Sequence, residues 1–170
     1  FRGWKRVGHG AVSVERSHKL SCDIFYYNTG AKLGVDKINE YSHKLTFGEI
    51  SKIDLDGEKA GLVPSTKWRA ENPVRGDGKW YPSETISVSI GQGPLLVTPL
   101  QVANMMATIA NGGKVFRPHV VRMIERIGPE GKAQRLRVAN EVLNEVKLDA
   151  PALNAVRGGL WAVVNEVGGT

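Results

Sequence analysis

Ser13-Val14-Glu15-Arg16-Ser17-His18-Lys19-Leu20-Ser21-Cys22-Asp23-Ile24-Phe25-Tyr26-Tyr27-Asn28-Thr29-Gly30-Ala31-Lys32-Leu33-Gly34 carries a helical pattern and a local violation of it. Leu20, Ile24, Tyr27 and Ala31 recur at helical spacing, which predicts one helix from about Val14 to Leu33. Ser13 is suited to cap it, Glu15 puts an acid in the first turn, and Gly34 is a suitable stop. Gly30 inside the pattern weakens the last turn. Ser21-Cys22-Asp23 is the violation. Ser and Asp compete for the backbone and are poor mid-helix residues, so two of them around one Cys break local consistency. Such breaks concentrate at functional sites. The bland alternative is a solvent-facing Ser21 with Asp23 paired to Lys19 at i,i+4.

Working outward, Lys37 to about Leu45 reads as a second helix with Asp36 as its cap and Ile38, Tyr41 and Leu45 as its stripe. Thr98-Pro99-Leu100-Gln101 combines a cap, Pro at the first helical position and Gln three residues on, so a third helix is expected up to Gly112-Gly113. A fourth begins near Asp149-Ala150-Pro151, carries Leu153, Val156, Leu160, Val163 and Val167, and stops at Gly168-Gly169. Its wide apolar face predicts packing into a core. Thr46 to Val97 is long, irregular and rich in Gly, Pro, Asn and Ser. A loop of that length inside a domain serves a function or covers something, and Trp68, Trp80 and Tyr81 are expected to pin it. Ile86-Ser87-Val88-Ser89-Ile90 alternates as a short strand would. Val120–Ile127, the turn Gly128-Pro129-Glu130-Gly131 and Ala133–Val138 read as a hairpin.

The chain has 170 residues, which suits one domain, and its composition of 41% apolar and 24% charged residues is that of a globular protein rather than a disordered one. No apolar run approaches the ~18–20 residues of a membrane span. Phe1-Arg2-Gly3-Trp4 has no apolar run behind its charge, so no signal peptide is expected there. Without an initiator Met, the chain is expected to belong to something longer. The single Cys22 excludes an internal disulfide and a cysteine-built zinc site. The net charge of +6 invites a nucleic-acid or anionic-membrane reading. Its distribution argues otherwise: Lys114 to Arg137 holds seven basic and two acidic residues, and the arginines alternate with apolar residues as on the wet face of a β-ribbon. His9, His18, His43 and His119 show no metal-ligand spacing. Gly91-Gln92-Gly93 lacks the further glycine of a dinucleotide fingerprint and the Lys of a P-loop, and reads as a tight turn.

The ordered set Gly8-His9-Gly10, Ser21-Cys22-Asp23-Ile24-Phe25-Tyr26-Tyr27, Leu33-Gly34-Val35-Asp36, Phe47-Gly48, Ile53-Asp54-Leu55, Glu58, Gly61, Pro64, Ile90-Gly91-Gln92-Gly93, Thr98-Pro99-Leu100-Gln101 and Ala110-Asn111-Gly112-Gly113 resembles the transpeptidase domain of the class B penicillin-binding proteins. Trp4 ahead of Gly8, and Asp rather than Asn at Asp23, resemble the rod-elongation branch. The resemblance implies an α+β fold, of which this chain supplies mostly the helical subdomain plus the hairpin. It implies that residues 1–170 are the central part of a transpeptidase domain. The family's S-x-x-K motif precedes this part and its K-T-G motif comes after it. Neither occurs here; Ser17-His18-Lys19-Leu20 and Ser42-His43-Lys44-Leu45 have the wrong spacing.

By that resemblance Ser21-Cys22-Asp23 is the family's second motif, S-x-N/D. Ser21 would relay a proton between lysines, and Asp23 would hydrogen-bond the first-motif lysine or the substrate amide. The implied parent is a serine-type D,D-transpeptidase of peptidoglycan, anchored in the inner membrane with its domain in the periplasm, the anchor lying outside this chain. The chain alone would be catalytically incomplete. Implied partners are peptidoglycan stem peptides, β-lactam antibiotics, a glycosyltransferase and other elongation-complex proteins. No nucleic acid, metal or organic cofactor is implied. The alternative is a non-catalytic sensor or scaffold of wall synthesis that keeps the fold.

Overall fold

The expected first helix is two helices. A computed structural model of the chain, describing residues 2–73 and 77–170, gives α1 (Val14–Lys19) and α2 (Asp23–Leu33) with a break at Leu20-Ser21-Cys22. The break is a Schellman motif: Ser21 N–H donates to the His18 carbonyl at 3.1 Å and Cys22 N–H to the Ser17 carbonyl at 3.0 Å. Ser21 sits at φ 46°, the left-handed position that glycine normally fills. Periodicity runs across the break because it counts apolar spacing and is blind to one left-handed residue. The Ser13 hydroxyl caps α1 by accepting from Arg16 N–H at 3.2 Å.

Gly34 ends α2 and leads straight into α3 (Val35–Lys44). Asp36 is not the cap expected of it. Its carboxylate accepts from Thr66 N–H at 2.9 Å and from the Thr66 hydroxyl, tying α3 to the start of α4 (Thr66–Glu71). The expected strand Ile86–Ile90 is also not formed. Residues Pro82–Val88 make helix α5, because Pro82 opens a helix and Thr85 and Val88 bury themselves at a spacing of three. The anticipated pinning by tryptophans is present: the buried Arg69 guanidinium lies 5.0 Å from the Trp68 ring and 5.5 Å from the Trp80 ring, and pairs with Glu84.

Helix α6 (Pro99–Asn111) has the capping box read from its sequence, with Thr98 and Gln101 exchanging side-chain hydrogen bonds. Gln101 does more than cap. Its fully buried amide also donates to the carbonyls of Glu49 (2.8 Å) and Ala60 (2.7 Å), stitching the long irregular region to the helix. Gly61 comes next at φ 72°, where a Cβ would come within 2.3 Å of the Leu96 carbonyl oxygen across the Leu62–Leu96 bridge. Arg157 from α7 (Ala150–Asn165) donates to the Ile109 and Ala110 carbonyls and so closes the other end of α6.

Strands β1 (Lys114–Phe116) and β4 (Val142–Glu145) pair antiparallel, and β2 (Met123–Ile127) pairs with β3 (Ala133–Arg137), giving the expected hairpin. Both faces of that hairpin are exposed, including Ile124, Ile127 and Leu136, so its apolar residues are as wet as its arginines. Asp54 anchors the base of the ribbon: its carboxylate accepts from Val120 N–H at 2.8 Å and Val121 N–H at 3.1 Å. Helix α7 crosses α1 closely at Gly159, where a Cβ would meet His18 Cβ at 2.9 Å. Its opposite side leaves Trp161 and Val164 exposed. Among the described residues no helix is long and apolar enough to cross a membrane.

This packing can be tested at two points. In helix α2, Gly30→Ala would by propensity alone stabilise by up to about 1 kcal/mol. Here the new Cβ would lie 2.4 Å from Ser89 Cβ, so a lower melting temperature is expected; a higher one would refute the close α2–α5 contact. The Val120 and Val121 amides hold the Asp54 carboxyl below its ordinary pKa by favouring the charged form. The anchoring is therefore fully present above the unfolded-state pKa and is lost as pH falls through the lowered folded value. The Val120 and Val121 amide proton shifts should titrate below about 3.9, the ordinary Asp value, and an inflection at or above it would contradict the anchor.

Candidate functional site

The Schellman turn points three consecutive side chains in different directions. Ser21 is exposed, Cys22 is buried, and Asp23 stands half-exposed at the first residue of α2. A carboxylate in the first turn of an eleven-residue helix is favoured by the helix dipole. Among the described residues neither the Ser21 hydroxyl nor the Asp23 carboxylate has a hydrogen-bond or ion-pair partner. Both expected site residues are thus close in the chain, accessible and chemically free.

The bland alternative, an Asp23–Lys19 pair, is not what forms. Lys19 Nζ instead reaches Glu166 Oε2 at 2.5 Å, 147 residues away, just past the end of α7. The Thr170 hydroxyl donates to the Lys19 carbonyl at 3.4 Å. The Gly168-Gly169-Thr170 segment therefore lies against the turn that carries Ser21. On the other side the Trp4 indole N–H donates to the Leu20 and Ser21 carbonyls at 3.1 and 3.2 Å. Beneath the turn the buried Ser17 hydroxyl donates to the Val14 carbonyl at 2.7 Å and meets the Tyr26 hydroxyl at 3.2 Å, locking α1 to α2. Burial raises the Tyr26 pKa, so that phenol stays neutral at physiological pH.

Two cavities flank the turn. One, of about 660 Å³, is lined by Arg16, Lys19 and Leu20 on one side and Trp161, Glu166 and Val167 on the other. The second, of about 270 Å³, lies between the Gly8-His9-Gly10 loop and Cys22, Ile24 and Phe25. A further apolar cavity of about 690 Å³ is bordered by Leu33, Val35, Trp80 and Ile86, away from the turn; none of the three cavities is lined by Ser21 or Asp23 themselves.

The chemistry open to this arrangement is limited and specific. A serine becomes a nucleophile at neutral pH when a base takes its proton. No base is hydrogen-bonded to Ser21 among the described residues: Lys19 is held by Glu166, and His18 Nδ1 faces the Val14 carbonyl at 2.8 Å. The Ser21 hydroxyl is left free to donate or accept a hydrogen bond, and the Asp23 carboxylate to accept one. No cluster of three or more His, Cys, Asp or Glu residues capable of holding a metal occurs among the described residues. The partners that hold the turn, Glu166 and Thr170, carry no short-range signal in the sequence, because their contacts span the length of the chain. Trp4 is visible there only through the family resemblance.

Comparison with known proteins gives the same frame. The penicillin binding protein transpeptidase domain model matches residues 1–170. The chain is 38% identical over 139 residues to the peptidoglycan D,D-transpeptidase MrdA of Acinetobacter baumannii, covering 78% of this chain and 20% of that protein. The chain thus spans about a fifth of that relative's length. A crystal structure of Pseudomonas aeruginosa PBP2 in complex with WCK 5153 aligns with a TM-score of 0.82 and 32% identity, covering 99% of this chain and 35% of that one. A complex of PBP2 with MreC from Helicobacter pylori aligns with a TM-score of 0.76 and 29% identity, covering 99% and 29%. With an α+β arrangement and the whole of its length matched, the chain belongs to the penicillin-binding protein transpeptidase domain family.

Proposed function

We propose that residues 1–170 form the central part of a peptidoglycan D,D-transpeptidase domain and contribute its second active-site motif through Ser21 and Asp23. The observation that carries this reading is the Ser21 turn itself: a free hydroxyl and a free carboxylate on a strained break, clasped to Gly168-Gly169-Thr170. In the family the K-T-G strand comes after such a segment, so the third motif would be brought beside the Ser21 turn by the Thr170 contact.

In this reading the serine of an S-x-x-K motif outside this chain attacks the penultimate D-Ala carbonyl of a stem peptide and passes its proton to the motif's lysine. The Ser21 hydroxyl relays that proton to the departing D-Ala nitrogen, and an acyl-serine remains. An amine of a second stem peptide attacks the acyl carbon, loses a proton along the same route, and releases the serine. Asp23 holds the lysine or the substrate amide in place. β-Lactams acylate the same serine. No metal or organic cofactor enters. The complex of a similar PBP2 with MreC supports docking to a further protein of wall synthesis; the glycosyltransferase partner and the periplasmic domain on an inner-membrane anchor outside this chain are what the family resemblance adds. The chain alone is inactive under this reading, since the attacking serine and its lysine belong to the S-x-x-K motif outside it.

Substitutions in the full-length protein separate chemistry from packing. Sequence periodicity alone would make Ser21→Ala harmless or favourable as a better helix former. At φ 46° an alanine keeps a left-handed strain of about 1–2 kcal/mol, whereas glycine relieves it. Ser21→Gly should therefore melt no lower than wild type yet acylate with β-lactam about 10²–10⁴-fold more slowly. Asp23→Asn should be milder and should shift the pH dependence of acylation by removing a charge that favours a protonated lysine. Wild-type acylation by Ser21→Gly would rule out the relay.

A further inference from the structure

The left-handed Ser21 needs its surroundings to hold it there, and the carbonyls of the turn show how. The last carbonyls of a helix lack intrahelical donors. Around this break nearly all are supplied by backbone: Leu20 N–H takes the Arg16 carbonyl, Cys22 takes Ser17, Ser21 takes His18, and Phe25 and Tyr26 take Cys22. The Thr170 hydroxyl takes Lys19. The two that remain, Leu20 and Ser21, are both taken by the single N–H of Trp4, at 3.1 and 3.2 Å. These carbonyls flank Ser21. A flip of the Leu20–Ser21 peptide would carry Ser21 out of the left-handed region and would swing the Leu20 oxygen away from the indole.

We propose that Trp4 is a positioning residue for Ser21: its forked N–H fixes the two peptide planes on either side of Ser21 and so sets the direction of the serine hydroxyl. The proposal rests on the reading of Ser21 as part of the acyl-transfer machinery. Trp4 is 61% exposed, so burial is a minor part of what it contributes. Its ring lies edge-on to His9 with centroids 5.2 Å apart, which fixes the indole's orientation from the Gly8-His9-Gly10 loop. That loop and the S-x-D turn are thereby mechanically joined, although no side chain of the loop reaches Ser21 directly.

The test uses Trp4→Phe in the full-length protein. Phenylalanine keeps a ring against His9 and deletes only the N–H. The readout is β-lactam acylation, split into the limiting acylation rate and the preceding noncovalent affinity, in the wild-type and Ser21→Gly backgrounds. The limiting rate should fall about tenfold in the wild-type background, with affinity unchanged within about twofold, since misplacing a reacting group costs rate rather than binding. In the Ser21→Gly background the same substitution should have almost no further effect. An equal fall in both backgrounds, a change confined to affinity, or no change overturns the proposal. If Ser21→Gly itself acylates normally, the reading of Ser21 has failed; if it is impaired while Trp4→Phe is silent, only the role of Trp4 has failed.

Discussion

Ser21 takes a backbone conformation that glycine adopts freely and serine does not, and the site is organised around keeping it there. Without that residue α1 and α2 would run on as one helix, and Ser21, Cys22 and Asp23 would spread around a single cylinder. With it, the chain changes its local direction. The thiol goes inward, the hydroxyl outward, and the carboxylate to the head of a new helix. Glycine in its place would lower the strain but remove the hydroxyl. A serine in a glycine position carries a local cost, which fits the role proposed for its hydroxyl. The clasp from Lys19 to Glu166 and from Thr170 to Lys19 extends this constraint to the far end of the chain.

Thr46 repeats the geometry without the chemistry. It too is left-handed at φ 69°, with its N–H on the His43 carbonyl and Phe47 N–H on the Ser42 carbonyl, but it is buried. Beyond Thr46 the chain enters the region that the Gln101 amide gathers. Gln101 can stand at the centre of a core because its polar atoms are satisfied: its carbonyl accepts from Thr98 N–H, and its NH₂ donates to Glu49 and Ala60. Gln101, Gly61, Glu58 and Asp54 thus share one task. Glu58 accepts from the Ser51 and Lys52 amides, and Asp54 from the ribbon, so a stretch with no long element is held by side chains binding backbone. These are residues that carry the family resemblance, and they serve the loop rather than the reaction.

How much is legible in the sequence divides along the range of the interactions. The capping box at Thr98 and Gln101, the hairpin around Gly128-Pro129-Glu130-Gly131 and the start of α7 at Asp149 are local, and each stands where the residues place it. The Ser21-Cys22-Asp23 anomaly is also legible as an anomaly, though its cause is not. A non-glycine helix stop leaves no mark in apolar spacing. The strand expected at Ile86–Ile90 fails because alternation of Ile, Ser and Val fits a short helix equally well once Pro82 has opened one. The β1–β4 pair, the Arg69 ion pair between two indoles and the Trp4 fork join distant segments. Nothing in a single sequence reports such contacts, and Glu166 in particular looks like an ordinary exposed acid.

In the proposed reaction the Ser21 hydroxyl, set by its left-handed turn, serves a lysine supplied by another part of the protein. A crystal structure of the full-length protein acylated by a β-lactam tests it most directly. The expected structure has the acyl bond on the serine of an S-x-x-K motif, Ser21 still at positive φ, and its Oγ about 3 Å from that motif's lysine Nζ. A Ser21 hydroxyl turned back onto its own helix, with the lysine bonded elsewhere, would contradict it.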